Sequence, residues 1–282
     1  LDNIKKLREL TGVGFKDCKV AIDECKGNIE KSVEFLRKKG IAKASKKMSR
    51  TASDGLVLVK EGEGQVSLIE INSETDFVAK NNDFINFCKE ISEINFKVKS
   101  DLNKLNEFKM ENKSLVKENL VNIIAKIGEK ITIRRAISFN NTEGTNFSYV
   151  HSAIDKGIGK IISLVKLDGI IKGKNNEIGS KIAMHIAASN PLAIDKEDID
   201  QKLVEKELEI IKAEITNSGK PTDMAEKISK GKINKFLNDN SLLNQIWIMD
   251  PKKKVADILK ENSYDKPLKV IDFVRYKVGE GV

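Results

Sequence analysis

The sequence predicts an α+β protein: an N-terminal three-helix module, two α+β core subdomains with small antiparallel sheets, and a protruding antiparallel hairpin of two coiled-coil helices. Three observations carry this. Apolar residues in the first forty positions recur at spacings of three and four; residues 56–72 switch to the apolar runs of paired strands; residues 199–237 return to a helical period, with a narrow apolar seam on otherwise polar segments. The chain has 282 residues, and at ~150 residues per domain that is enough for about two domains with real cores. The expected division is a helical docking module at 1–40, a linker at 41–54, one core subdomain at 55–140, a second at 141–198 plus 246–282, and the hairpin inserted at 199–245.

Taken in order, Ile4, Leu7 and Leu10 mark a first helix that stops at Thr11-Gly12-Val13-Gly14. Phe15, Cys18, Ala21, Ile22 and Cys25 form the stripe of a second, which Gly27 ends. Asn28 is placed to cap a third, carrying Ile29, Val33 and Leu36 and expected to end at Gly40. Such a module is of the ubiquitin-associated kind, whose usual task is to present a surface to another protein. Residues 41–54 are small and basic with few apolar anchors, and read as a partly helical linker; Lys43, Lys46, Lys47 and Arg50 are a solvated stretch or a basic patch.

Leu56 to Val59 and Val66 to Ile71 flank Glu61-Gly62-Glu63-Gly64, a hairpin signal. A helix with Phe84, Phe87, Cys88 and Ile91 on one face follows Asn81; another after Ser114 carries Leu120, Ile123, Ile124 and Ile127; Ile131, Ile133 and Ile137 then alternate as a strand. In the second subdomain, Phe147 to His151 and Ile161 to Leu167 read as strands and Ile178 to Ser189 as a helix. The long polar helices break at Ser218-Gly219-Lys220-Pro221, with Leu203, Leu208, Ile211 and Ile215 facing Met224, Ile228, Ile233 and Leu237. A short helix from Val255 to Leu259 and a strand from Val270 to Val278 close the chain.

Composition narrows the function. With 40% hydrophobic and 33% charged residues, 4 Pro and 18 Gly, collagen-like and low-complexity chains are excluded. No apolar run approaches the ~20 residues of a membrane span, and the first residues lack the apolar core of a secretion signal, so a cytoplasmic location without membrane contact is expected. Cys18 and Cys25 lie two helical turns apart, ~10.5 Å along the axis and beyond disulfide reach, which makes the three cysteines ordinary thiols. The net charge of +8 raises the question of nucleic acid. Against it, arginine occurs only at 8, 37, 50, 134, 135 and 275, and aromatics are 5%, so bidentate phosphate readout and base stacking have few providers.

Catalytic constellations are missing from the sequence. The nearest thing to a phosphate loop, Gly169 to Lys174, is one residue short and is followed by Asn175. His151 and His185 are the only histidines, and the cysteine spacing suits no zinc site. No metal, no cofactor and no covalent chemistry are expected; His185, on an apolar helical face, reads as a core residue.

Five separated segments carry a family likeness: Thr11 to Lys19, Leu36 to Gly40, Glu74-Thr75-Asp76-Phe77-Val78-Ala79-Lys80-Asn81, Ile182 to Ser189 and Phe273 to Gly281. With Ser218 to Pro221 and Asp250-Pro251 in the expected order, the chain resembles the elongation factor Ts family over essentially its whole length. The resemblance implies an exchange factor that binds elongation factor Tu, both GDP-bound and nucleotide-free, and speeds GDP release by disturbing its Mg²⁺ site. It assigns that role to Thr75, Asp76, Phe77 and Val78, with Phe77 as a ring wedged between helices of the GTPase and Asp76 as a polar anchor. Residues read alone would put Phe77 in a core instead. Docking is implied for Arg8, Phe15 and Lys16, where methionines are common in the family at the last two positions, and for His151, whose glycine-rich continuation is here replaced by Ser152 to Gly157. No direct nucleic-acid contact is expected. The hairpin is left as free or as the seam of a homodimer. A basic RNA-binding translation protein without exchange activity is the alternative.

Overall fold

The computed structural model describes residues 2–11, 13–217 and 222–282. In chain order the helices and strands are α1 (Asp2–Thr11), α2 (Phe15–Glu24), α3 (Ile29–Lys47), β1 (Asp54–Gly62), β2 (Gln65–Ser73), α4 (Asp76–Ala79), α5 (Asn82–Lys97), α6 (Leu102–Asn106), α7 (Val116–Ile127), β3 (Thr132–Asn140), β4 (Thr145–His151), β5 (Ile158–Gly159), β6 (Ile161–Asp168), α8 (Asn176–Ser189), α9 (Gln201–Asn217), α10 (Thr222–Asn240), α11 (Val255–Glu261) and β7 (Lys269–Lys277). They form an α+β protein in two compact units. One holds the chain up to Phe139 together with Ser152–Lys160 and Tyr276–Val282; the other holds Asn140–His151 and Ile161–Arg275.

In the first unit, α1, α2 and α3 share a small core of Ile4, Leu7, Cys18, Ala21, Ile22 and Leu36. Asn28 caps α3 by accepting from the Lys31 amide at 2.9 Å, as its side chain predicts. Leu10, expected on the apolar stripe of the first helix, is exposed. Gly12, within the expected stop, lies outside the described residues.

The third helix does not end at Gly40. It runs through that glycine to Lys47, so the first half of the expected linker is helical. The reason is packing: α3 lies on α7, and a Cβ built at Gly40 would come 3.3 Å from the Ala125 side chain. Glycine serves here as a close-approach residue rather than a terminator. Four residues further on, Ala44 is buried in the main core.

That core lies on a four-stranded sheet of order β3-β2-β1-β5. β1 and β2 pair antiparallel from Asp54↔Ser73 to Gly62↔Gln65, the expected hairpin. α5, capped by Asn81, buries Phe84, Phe87, Cys88 and Ile91 against it. β5, with no counterpart among the expected strands, pairs with β1 at Val57↔Gly159. Nearby, the Val59 amide donates to Gly157 O at 2.8 Å. This pairing is why residues 152–160 pack with the first unit, whereas the sequence suggested the second.

In the other unit, β4, β6 and β7 form a three-stranded sheet of order β4-β6-β7, and α8 packs on it. Gly179 lets α8 approach, since a Cβ there would fall 2.3 Å from the Phe147 ring. α9 and α10 pack together as the expected helical hairpin. Its break at 218–221 lies outside the described residues. The apolar seam is shorter than predicted: Ile211 and Ile215 are buried, but Leu203 and Met224 at its ends are exposed.

The α3–α7 crossing generates a prediction. Gly40→Leu should lower unfolding free energy by about 1–3 kcal/mol through overpacking, measured by chemical denaturation. An unchanged or raised stability would mean that Gly40 is an incidental helix residue.

Candidate functional site

β2 ends at Ser73, whose Oγ donates to Thr75 O at 3.0 Å, and Thr75 begins α4 in an extended conformation. Threonine at such a position ordinarily caps its own helix. Here it does not; its amide donates to Glu129 Oε2 at 3.0 Å and its hydroxyl to Glu129 Oε1 at 2.8 Å. The neighbouring carboxylate does the converse, Glu74 Oε1 accepting from the Lys130 amide at 2.6 Å and Glu74 Oε2 from Arg50 Nη1 at 3.2 Å. Lys130 Nζ closes the ring on Arg50 O at 2.8 Å. Burial acts to raise the Glu74 carboxyl, but the Lys130 amide and Arg50 outweigh it and hold it below its usual range.

The single turn of α4 divides its residues between core and solvent. Val78 and Ala79 face inward and belong to the main core. Phe77 faces outward and is 79% exposed. Isolated apolar side chains are common on surfaces; this ring stands on a turn whose entry, Ser73 to Thr75, is tied down by five side-chain hydrogen bonds. Beside it, Asp76 pairs with Lys80 at 2.7 Å, and the hydrogen bond and charge of Lys80 hold the Asp76 carboxyl below its ordinary value. Of the four residues singled out here from the sequence, Thr75 is anchored inward, Val78 is buried, and Asp76 and Phe77 reach the surface.

The others stand on other elements. Arg8 is exposed in the last turn of α1, and Phe15, 47% exposed, and Lys16 open α2. His151 belongs to the other unit, at the exposed end of β4, with Tyr149 Oη 3.5 Å from its Nδ1. His185 is a core residue. It stacks on Trp247, with ring centroids 5.2 Å apart, and its Nε2 lies 2.9 Å from Gln245 Oε1. Nδ1 accepts from the Ile248 amide at 3.4 Å, which leaves the ring proton on Nε2.

Sequence reading missed Glu129 and Glu74 as a pair of clamps: Thr75 stands 54 positions from Glu129, and Lys130 and Arg50 stand 56 and 24 from Glu74, so neither pattern nor spacing announces them. It also missed Glu70, a fully buried carboxylate on β2. A charge between Ile69 and Ile71, the one charged side chain of β2, was the available signal. Among the described residues, no group of three or more His, Cys, Asp or Glu is placed to hold a metal ion, and no helix is long and apolar enough to cross a membrane.

The family model described as Elongation factor TS matches residues 74–280. A relative from Rickettsia rickettsii (strain Sheila Smith), named Elongation factor Ts, is 40% identical over 283 residues, spanning 99% of this chain and 91% of its own length. One of the same name from Methylobacterium nodulans is 40% identical over 284 residues, spanning 99% and 92%. These likenesses put the protein among the elongation factors of translation. The chain belongs to the elongation factor Ts family.

The His185 geometry sets a pH dependence. Burial lowers its basicity, partly offset by the Gln245 bond. The unfolded chain therefore binds a proton at higher pH than the folded one, so stability is intact above the ordinary imidazole value of about 6.5 and falls as the pH drops below it. In His185→Gln, which has no such proton to take up, the loss of unfolding free energy between about pH 7 and pH 5 should shrink. A loss equal to that of the wild type would show that protonation of His185 is not coupled to unfolding.

Proposed function

We propose that this protein binds elongation factor Tu in its GDP-bound and nucleotide-free forms and promotes GDP release, performing no covalent chemistry itself. The observation that carries the reading is the exposed Phe77 ring on a turn fixed from both ends, in a chain of this family. A ring inserted between elements of the GTPase domain would displace the groups that hold Mg²⁺. That ion is bound largely through phosphates and water, so a small displacement weakens nucleotide binding. Coupling is reciprocal: the factor lowers affinity for GDP by the same ratio as GDP lowers affinity for the factor. GTP then refills the site.

In this reading Phe77 intrudes and Asp76 anchors it by polar contact. Val78, 7% exposed, backs the turn from the core, and Thr75 fixes its start. Arg8, Phe15 and Lys16 dock the three-helix module on the GTPase domain, and His151 meets a second region of the partner. The place of action is the cytoplasm.

Phe77→Ala should change unfolding free energy by no more than ~1 kcal/mol, since a buried Phe would cost ~3–5 kcal/mol and this one is open. It should slow GDP release from the Mg²⁺-bound partner by about tenfold or more, a loss of at least ~1.4 kcal/mol in transition-state stabilisation. The defect should shrink when chelator removes Mg²⁺, because the step the ring promotes has then been done. An equal defect with and without Mg²⁺ places the action of the ring elsewhere. Salt-sensitive RNA binding with no effect on GDP would instead select a nucleic-acid-binding role.

A further inference from the structure

We infer that Glu129 is a positioning residue for exchange: its carboxylate, taken up on both oxygens by Thr75, aims the Phe77 ring. The inference rests on the role proposed for Phe77 and extends it to a residue that does not touch the partner.

A four-residue helix has too few internal hydrogen bonds to hold its own direction. What lies at its ends decides where its side chains point. At the C-terminal end, the Asn81 amide donates to Val78 O at 2.9 Å, and the Asn81 side chain caps α5, so α4 runs directly into a long packed helix. At the N-terminal end the strong restraint on Thr75 comes from another part of the chain. Gly128, with φ of +86°, ends α7 and turns the backbone. The next residue, Glu129, then meets both donors of Thr75, 2.8 and 3.0 Å away. Lys47, in the last turn of α3, donates to Gly128 O. The turn that aims Phe77 is therefore itself tied to the long helix of the N-terminal module.

The chemistry suits positioning rather than charge. Both donors are neutral, so an acceptor of the right shape suffices. Glutamine at 129 keeps the shape: its Oε1 accepts from the Thr75 amide and its Nε2 donates to the Thr75 hydroxyl, which accepts as well as donates. Alanine leaves both donors to water. The start of α4 is then free, and the ring, still exposed, spends only a fraction of its time in the competent direction. The maximal rate falls by that fraction.

The test is the rate of fluorescent GDP release from elongation factor Tu, measured against concentration of the full chain. Glu129→Ala is expected to lower the maximal rate several-fold while leaving the concentration for half-maximal rate near that of the wild type. Glu129→Gln should recover most of the rate. Thr75→Val, which deletes one of the two bonds, should give an intermediate loss and serves if the alanine variant folds poorly. In a Phe77→Ala background, Glu129→Ala should slow release no further, because the residue it aims is gone. Losses that multiply in the double variant, a glutamine variant as slow as the alanine one, or wild-type rates in both Glu129→Ala and Thr75→Val would each overturn the inference. Wild-type release by Phe77→Ala alone would overturn the reading of Phe77 itself, a result distinguishable from the others.

Discussion

A carboxylate without access to water is tolerated only when its lone pairs are filled, and Glu70 is such a group at the centre of the first unit. Asn72 Nδ2 donates to it at 2.9 Å, Arg134 Nη1 at 3.1 Å, Arg135 Nε at 2.6 Å and the Gly279 amide at 2.8 Å. Burial alone would raise its proton affinity; the Asn72 and Gly279 hydrogen bonds and the Arg135 charge more than reverse that and keep it ionised. Three stretches distant in sequence converge on one residue: β2, β3 and the segment after β7. Removing any donor would leave a buried charge short of a partner, a far larger penalty than the loss of a surface ion pair.

This constraint explains features that otherwise look accidental. Arg135 lies 4.1 Å over the Tyr276 ring, and Arg134 Nη2 donates to Glu280 O at 2.6 Å, so Tyr276–Val282 joins the first unit although the strand leading to it begins in the second. Gly279 is required there: a Cβ would fall 2.0 Å from Ser53 O, and its φ is +73°. Because β2 is held in this way, its last residue, Ser73, is a fixed starting point for the turn that presents Phe77. Rigid support and an exposed ring are two ends of one arrangement. The core supplies the fixed end, with Val78 and Ala79 packed inward, and the polar clamps of Glu74 and Glu129 set the direction of the free end.

The legible part of the sequence was the part governed by local rules. Phe84, Phe87, Cys88 and Ile91 recur at helical spacing and are buried as that spacing requires; Asn28 and Asn81 cap the helices they precede. Gly40 was misread because one residue type serves two purposes, ending a helix and letting another approach, and the sequence does not say which. Leu203 and Met224 fit the period of the hairpin seam but lie at its ends, where period no longer implies a partner. β5 has two residues and is held by its pairing with β1, so no pattern of its own marked it. The outward direction of Phe77 followed from resemblance alone, because a phenylalanine beside Val78 and Ala79 satisfies the pattern of a buried turn equally well. Glu129 was illegible for the plainest reason: its role exists only once fifty-four residues of chain have folded back on Thr75.

In the proposed function, a rigidly presented aromatic side chain couples binding of this protein to loss of GDP from a GTPase. The most direct test is stopped-flow release of a fluorescent GDP from Mg²⁺-loaded elongation factor Tu, with and without the wild-type protein. Release is expected to accelerate with concentration of the protein and to saturate, and GDP affinity to weaken by the same factor by which GDP weakens binding of the protein. Tight binding with an unchanged rate of GDP release would contradict it.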